Sequence, residues 1–151
     1  MKSITPLSLA LSALLAGTAF ASAPAAAPLA VAGPDQAMAA LKAAGHAEVR
    51  ELEYDDGLWE AEVRRANGRW GEVAVDAATG EVFDAMSPRR LIELREVLAS
   101  VERAGYTQVH DLDRDGALWD AEAYGADGQR YELRISGYDG RILSARVDHN
   151  D

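Results

Sequence analysis

The sequence has no cysteine, only three histidines, and no apolar run long enough to cross a bilayer. Each scarcity excludes something. Without cysteine there is neither a disulfide nor a thiol nucleophile, so the fold rests on its own core. His46, His110 and His149 stand apart, with no His-x-x-His or Glu-x-x-His spacing for zinc and no Ser/His/Asp arrangement that spacing alone supports. Positive charge is also scarce: 15 Lys and Arg face 25 Asp and Glu, a net charge of −10. That balance repels phosphate backbones and anionic lipid surfaces, so nucleic acid and membrane-surface partners are disfavoured, while a basic protein or a cation is permitted. No cofactor is expected.

What the chain does have is a repeat. Sliding the sequence against itself by 60 positions without a gap pairs Leu58-Trp59-Glu60-Ala61-Glu62 with Leu118-Trp119-Asp120-Ala121-Glu122. It also pairs Gly45 with Gly105, Leu52 with Leu112, Gly68 with Gly128 and Gly80 with Gly140. One small unit occurs twice.

Ahead of the repeats, Met1-Lys2, an apolar run over residues 7–20 and small residues at Ala19-Phe20-Ala21 have the pattern of a secretory signal peptide. The run is about 14 residues, short of the roughly 20 a membrane span needs. Pro24 disfavours cleavage after Ala23, so the expected leader is residues 1–21, followed by an Ala/Pro tether over 22–33. The expected compartment is periplasmic or secreted.

Asp35 is the expected N-cap and Gly45 the C′ residue of a short Ala-rich helix. From residue 48 the period shifts towards two: strands over 48–54 and 58–65 flank the turn Asp55-Asp56-Gly57, and a third strand, 70–76, precedes Thr79-Gly80 and Glu81-Val82-Phe83. Trp59, Ala61 and Val63 point to one face, while Glu60, Glu62 and Arg64 point to the other. Ser87-Pro88 predicts the start of a second helix, longer than the first, with Leu91, Leu94, Val97, Leu98 and Val101 on its stripe. Strands follow near 107–114, 117–124, 129–136 and 141–147. The expected fold is α+β: two tandem repeats, residues 34–86 and 87–148, each one helix packed on a three- to four-stranded antiparallel meander.

The closing hairpin Val75-Asp76-Ala77-Ala78-Thr79-Gly80-Glu81-Val82, after a helix ending in Gly and an aromatic-x-small-x-Val strand, resembles the PepSY domain. The resemblance covers residues 35–83 well and the second copy more loosely, since Ser136 stands where Asp76 does and Asp139-Gly140-Arg141-Ile142 replaces Thr79-Gly80-Glu81-Val82. It implies an exported, non-catalytic module of the kind found in propeptides of thermolysin-type proteases, with a peptidase among its implied partners. Fold analogy alone does not carry function.

Two constellations are candidates for binding. The outer strand face, Glu60, Glu62 and Glu72 with Asp120, Glu122 and Glu132, is expected to be an acidic sheet surface able to steer a basic partner, and Trp70, on the outward parity with Glu72, is a contact candidate. Asp111, Asp113, Asp115, Gly116 and Glu122 satisfy the calcium-loop pattern D-x-[DN]-x-[DN]-G-x5-E, the alternative being a β-hairpin whose acids only decorate a wet face.

Overall fold

The structure, a computed structural model, describes residues 30–149. The leader and most of the tether lie outside the described residues. Two four-stranded antiparallel sheets, each with one helix beside it, make up the rest. The first repeat runs α1 (Pro34–Ala43), β1 (Val49–Asp55), β2 (Leu58–Arg64), β3 (Trp70–Asp76), β4 (Val82–Phe83). The second runs α2 (Leu94–Arg103), β5 (Thr107–Asp115), β6 (Leu118–Tyr124), β7 (Arg130–Ser136), β8 (Ile142–Val147). Strand order follows chain order in both sheets, the simplest outcome of successive hairpins.

Both helices have ten residues, and both end before a glycine in the left-handed region, Gly45 at φ +97° and Gly105 at φ +95°. Their starts differ from expectation. Gly33, not Asp35, is the N-cap of α1, and Asp35 lies in its first turn. The second helix does not begin at Ser87-Pro88. Its N-cap is Glu93, which forms a capping box with Glu96. The intervening segment is committed to tertiary bonds: Asp84 Oδ1 accepts from the Met86 amide, Ser87 Oγ lies 3.0 Å from Tyr138 Oη, and the Ile92 amide donates to the Gly137 carbonyl. Leu91 therefore packs between the repeats rather than on α2, and Leu94 is exposed.

Alternation along the strands builds each core. Ala61 and Val63 of β2 with Val73 and Val75 of β3 close over Ala37 and Leu41 of α1, and Trp59 packs on the edge. Ala121, Ala123, Leu133 and Ile135 close over Val97 and Val101 in the same way, with Trp119 on the edge. The two tryptophans thus occupy matching places, opposite Val75 and Ile135 in register.

The opposite sheet faces are not wholly wet. Leu58, Ala74 and Phe83 from the first sheet meet Ala117, Leu118 and Leu143 from the second in a third apolar cluster. These side chains alternate with the inner ones, so the layers run α1, first sheet, second sheet, α2. Burial at this joint is complete, Phe83 being 1% exposed. Tyr138 seals it: its ring stacks on Phe83 with centroids 5.5 Å apart, its hydroxyl donates to the Asp84 carbonyl, and it accepts from the Asp84 amide.

The arrangement is close to two-fold. Arg141 and Glu81, which the 60-residue period makes equivalent, bond to each other, Nη2 to Oε2, at 2.8 Å. A residue can touch its own counterpart only near an axis relating the copies.

Candidate functional site

That axis generates two matching clefts, because the β-hairpin tip of each repeat leans over the outer sheet face of the other. The first, of about 230 Å³, is lined by Glu51, Glu53, Glu60, Glu62, Glu72, Ala74 and Phe83 with Asp115, Ala117 and Leu118 from the opposing tip. The second, of about 310 Å³, is lined by Asp111, Asp120, Glu122, Glu132, Arg134, Ser144 and Arg146 with Asp55 and Asp56 from the other tip. All six carboxylates expected to form an outward acidic surface therefore line clefts between the repeats: Glu60, Glu62 and Glu72 the first, Asp120, Glu122 and Glu132 the second.

The clefts match in lining positions but not in charge. Six carboxylates and no arginine or lysine line the first. In the second, Arg134 replaces the small Ala74 of the first sheet, and Arg146 pairs with Glu132 and with Asp56, the latter at 3.4 Å. Arg134 reaches both ways: Nη1 lies 3.0 Å from Asp120 Oδ1 and 3.3 Å from Asp115 Oδ2, and Nη2 pairs with Glu60, the counterpart of Asp120. Even so, burial pushes the Glu60 carboxyl above its ordinary range against the pull of Arg134, with Asp115, Asp55 and Asp120 adding to the rise. The Asp120 carboxyl rises likewise, from burial first, with Arg134 opposing and Asp115 and Asp113 adding. In both groups burial penalises the ionised form.

Trp70 lies on the outward parity read from sequence, half-buried and outside both clefts, under the Arg50 guanidinium 4.2 Å from its ring centroid and beside Arg64 at 5.8 Å. The calcium-loop pattern is taken apart by the hairpin. Strands flank it, Asp113 faces Asp120 across the ladder, and Asp115 is held by Arg134, so no oxygen cage forms. Its two ends do meet, joined by a histidine. His110 Nδ1 lies 3.2 Å from Asp111 Oδ2 and 3.5 Å from Glu122 Oε2.

Sequence reasoning missed two assemblies. Arg65 crosses Gly71, where a Cβ would sit 2.7 Å from its Nε, to reach Asp84 Oδ2 at 2.6 Å and the Glu72 carbonyl at 3.1 Å. His46 Nε2 approaches the same Asp84 oxygen at 3.4 Å; burial lowers its pKa, Asp84 opposes and Arg65 reinforces. The other is the bonding of the turn signature, which the sequence located as a hairpin without showing what its aspartate holds. Asp76 Oδ1 accepts from the Ala78 amide at 2.8 Å, and Oδ2 accepts from Thr79 Oγ1 at 2.8 Å and Arg141 Nη1 at 3.0 Å. Burial works to raise this carboxyl, but the three bonds outweigh it and hold it below the usual range. The Asp-x-x-Thr-Gly turn is thus self-capping and also the anchor for the second repeat.

The family model described as "peptidase propeptide and YPEB domain" matches residues 6–86, more than half of the 151-residue chain. The chain belongs to the PepSY family. Comparison with curated proteins found none that matches. PepSY modules are generally non-catalytic and relate to peptidases as propeptides or inhibitors. The match ends at Met86, so it covers the first repeat, and the second repeat stands as its internal copy. Among the described residues no helix is long and apolar enough to cross a membrane.

Proposed function

We propose that this PepSY protein is a non-catalytic binding module, exported to the periplasm or beyond, that holds a basic segment of a peptidase in its first cleft and thereby restrains the enzyme. The observation that carries this reading is the lining of that cleft: six carboxylates with no lysine or arginine among the lining residues, an acidic excess that the neighbouring Arg50 and Arg134 offset only in part. Such a surface fits an extended segment rich in arginine or lysine. The charge steers the encounter. The raised Glu60 carboxyl supports the same reading, since groups kept ionised at a cost cluster at functional sites and a cationic ligand would relieve that cost.

The test is fluorescence anisotropy of two labelled peptides of equal length, one alternating Arg and Leu and one alternating Glu and Leu, titrated with the protein. A parallel assay follows the activity of a thermolysin-type peptidase. The expected result is saturable binding of the basic peptide alone, weakened several-fold by raising salt beyond about 0.3 M and by the triple variant Glu60→Gln/Glu62→Gln/Glu72→Gln. Equal binding of both peptides, or none at about 0.1 mM protein, overturns the cleft as the site. Unchanged peptidase activity overturns the restraining role.

A further inference from the structure

We propose that His110, Asp111 and Glu122 form a binding site for a divalent transition-metal ion such as zinc. The backbone builds the cluster. A regular strand would send His110 and Asp111 to opposite faces, but the β5–β6 register shifts beyond His110, and Asp111 adopts φ +47°, a β-bulge that turns both side chains towards Glu122.

The distances suit such an ion. Ligands about 2.0 to 2.1 Å from a tetrahedral zinc stand about 3.3 Å from one another. His110 Nδ1 lies 3.2 Å from Asp111 Oδ2 and 3.5 Å from Glu122 Oε2, and the three atoms all fall within 4.8 Å of one another. One imidazole and two carboxylates match the preference of a borderline ion, and the oxygen-rich, many-coordinate shell of calcium is not formed here.

An independent observation comes from the first repeat, where the same bulge recurs, with Glu51 at φ +53°. There the position of His110 is taken by Arg50, whose guanidinium sits between the two corresponding carboxylates, Nη2 2.5 Å from Glu62 Oε2 and Nε 3.8 Å from Glu51 Oε1. The fold thus places a cation between these two acids in one copy through a fixed side chain. In the other it offers an imidazole that, when neutral, is a ligand rather than a charge. Arg130 Nη1 also stands 3.6 Å from Glu122 Oε2 and pairs with Asp148, so an incoming ion shares Glu122 with a guanidinium. The site should therefore bind less tightly than a closed structural zinc site.

Isothermal titration of the full chain with zinc chloride at neutral pH tests this. One equivalent is expected for the natural protein and none for His110→Arg, which recreates the charge pattern of the first repeat. Arg50→His should take up two equivalents, because it builds the same ligand set around Glu51 and Glu62. No heat up to about 1 mM zinc, undiminished uptake in His110→Arg, or a single equivalent in Arg50→His each overturns the proposal. Circular dichroism of the three proteins separates loss of the site from loss of fold.

Discussion

Arg141 and Glu81 are counterparts in the two repeats and are also bonding partners, at 2.8 Å across the axis that relates the copies. Arg141 holds Asp76 as well, at 3.0 Å, so one guanidinium closes the joint against two acids of the first repeat. Because Arg141 is more than a third exposed, solvent weakens each pair. Arg141→Ala is expected to cost about 1 kcal/mol, and a double-mutant cycle with Glu81→Gln to give a coupling of about 0.5 kcal/mol, read from urea unfolding.

The apolar joint carries more. Phe83 is fully buried between the sheets, and Phe83→Ala should cost about 3 to 5 kcal/mol in chemical unfolding. Phe83→Leu, which copies Leu143 at the corresponding place, should cost far less, about 1 kcal/mol. Tyr138→Phe keeps the stacked ring but leaves the Asp84 amide and carbonyl without their hydroxyl, an expected loss of about 1 to 2 kcal/mol.

The two tryptophans share a place but differ in one bond. Trp59 Nε1 donates to the Val31 carbonyl at 3.0 Å, whereas Trp119 Nε1 is buried without a partner among the described residues. Trp59→Phe should therefore destabilise by about 1 kcal/mol beyond its loss of area, while Trp119→Phe releases a desolvated donor and should cost only the packing difference. Paired thermal melts of the two variants read the contrast directly.

Acidity should act in two stages. The Glu60 and Asp120 carboxyls are raised, so their ionised forms penalise the fold above the folded values, and that penalty is relieved as pH falls towards their ordinary 4.5 and 3.8. Asp76 and Asp139 are depressed below 3.8. Burial opposes the shift in both, bonds from Thr79, Ala78 and Arg141 outweigh it at Asp76, and bonds from Ser136 and the Arg141 amide outweigh it at Asp139. Their stabilisation is present above 3.8 and is lost as pH drops through the folded values. His46, whose pKa burial lowers, opposes this by costing stability as pH falls below its ordinary 6.5. The rise is therefore read in His46→Gln, whose melting temperature should increase on mild acidification and fall only at lower pH; a steady decline in that variant would contradict it.

Glu60→Gln tests the cost of the cleft. Because Glu60 is more than a third exposed, solvent screens both its burial penalty and its pair with Arg134, so removing the carboxylate should leave stability at neutral pH unchanged or slightly raised. The same variant should weaken the basic peptide, so stability and binding move in opposite directions.

Much of this was legible beforehand because each unit obeys local rules. Alternation of Trp59, Ala61 and Val63 with Glu60 and Glu62 set the inner face, and Gly45 and Gly105 marked the helix ends. The helix start at Ser87-Pro88 failed because a nearby tertiary partner, Tyr138, outcompeted a local signal. The outer face failed as a solvated surface because period-two reading assigns a side chain to a face without saying what stands opposite. The duplication did carry a clue. At two positions where the repeats differ in charge, Ala74 against Arg134 and Glu81 against Arg141, the differences lie where the copies meet.

Those differences decide which halves can embrace. Two first halves brought together would set Glu81 against Glu81, and two second halves Arg141 against Arg141, a like-sign clash at the centre of either homotypic pair. Only the heterotypic union is neutral there, so the covalent link between the halves joins two surfaces already made to reject their own kind.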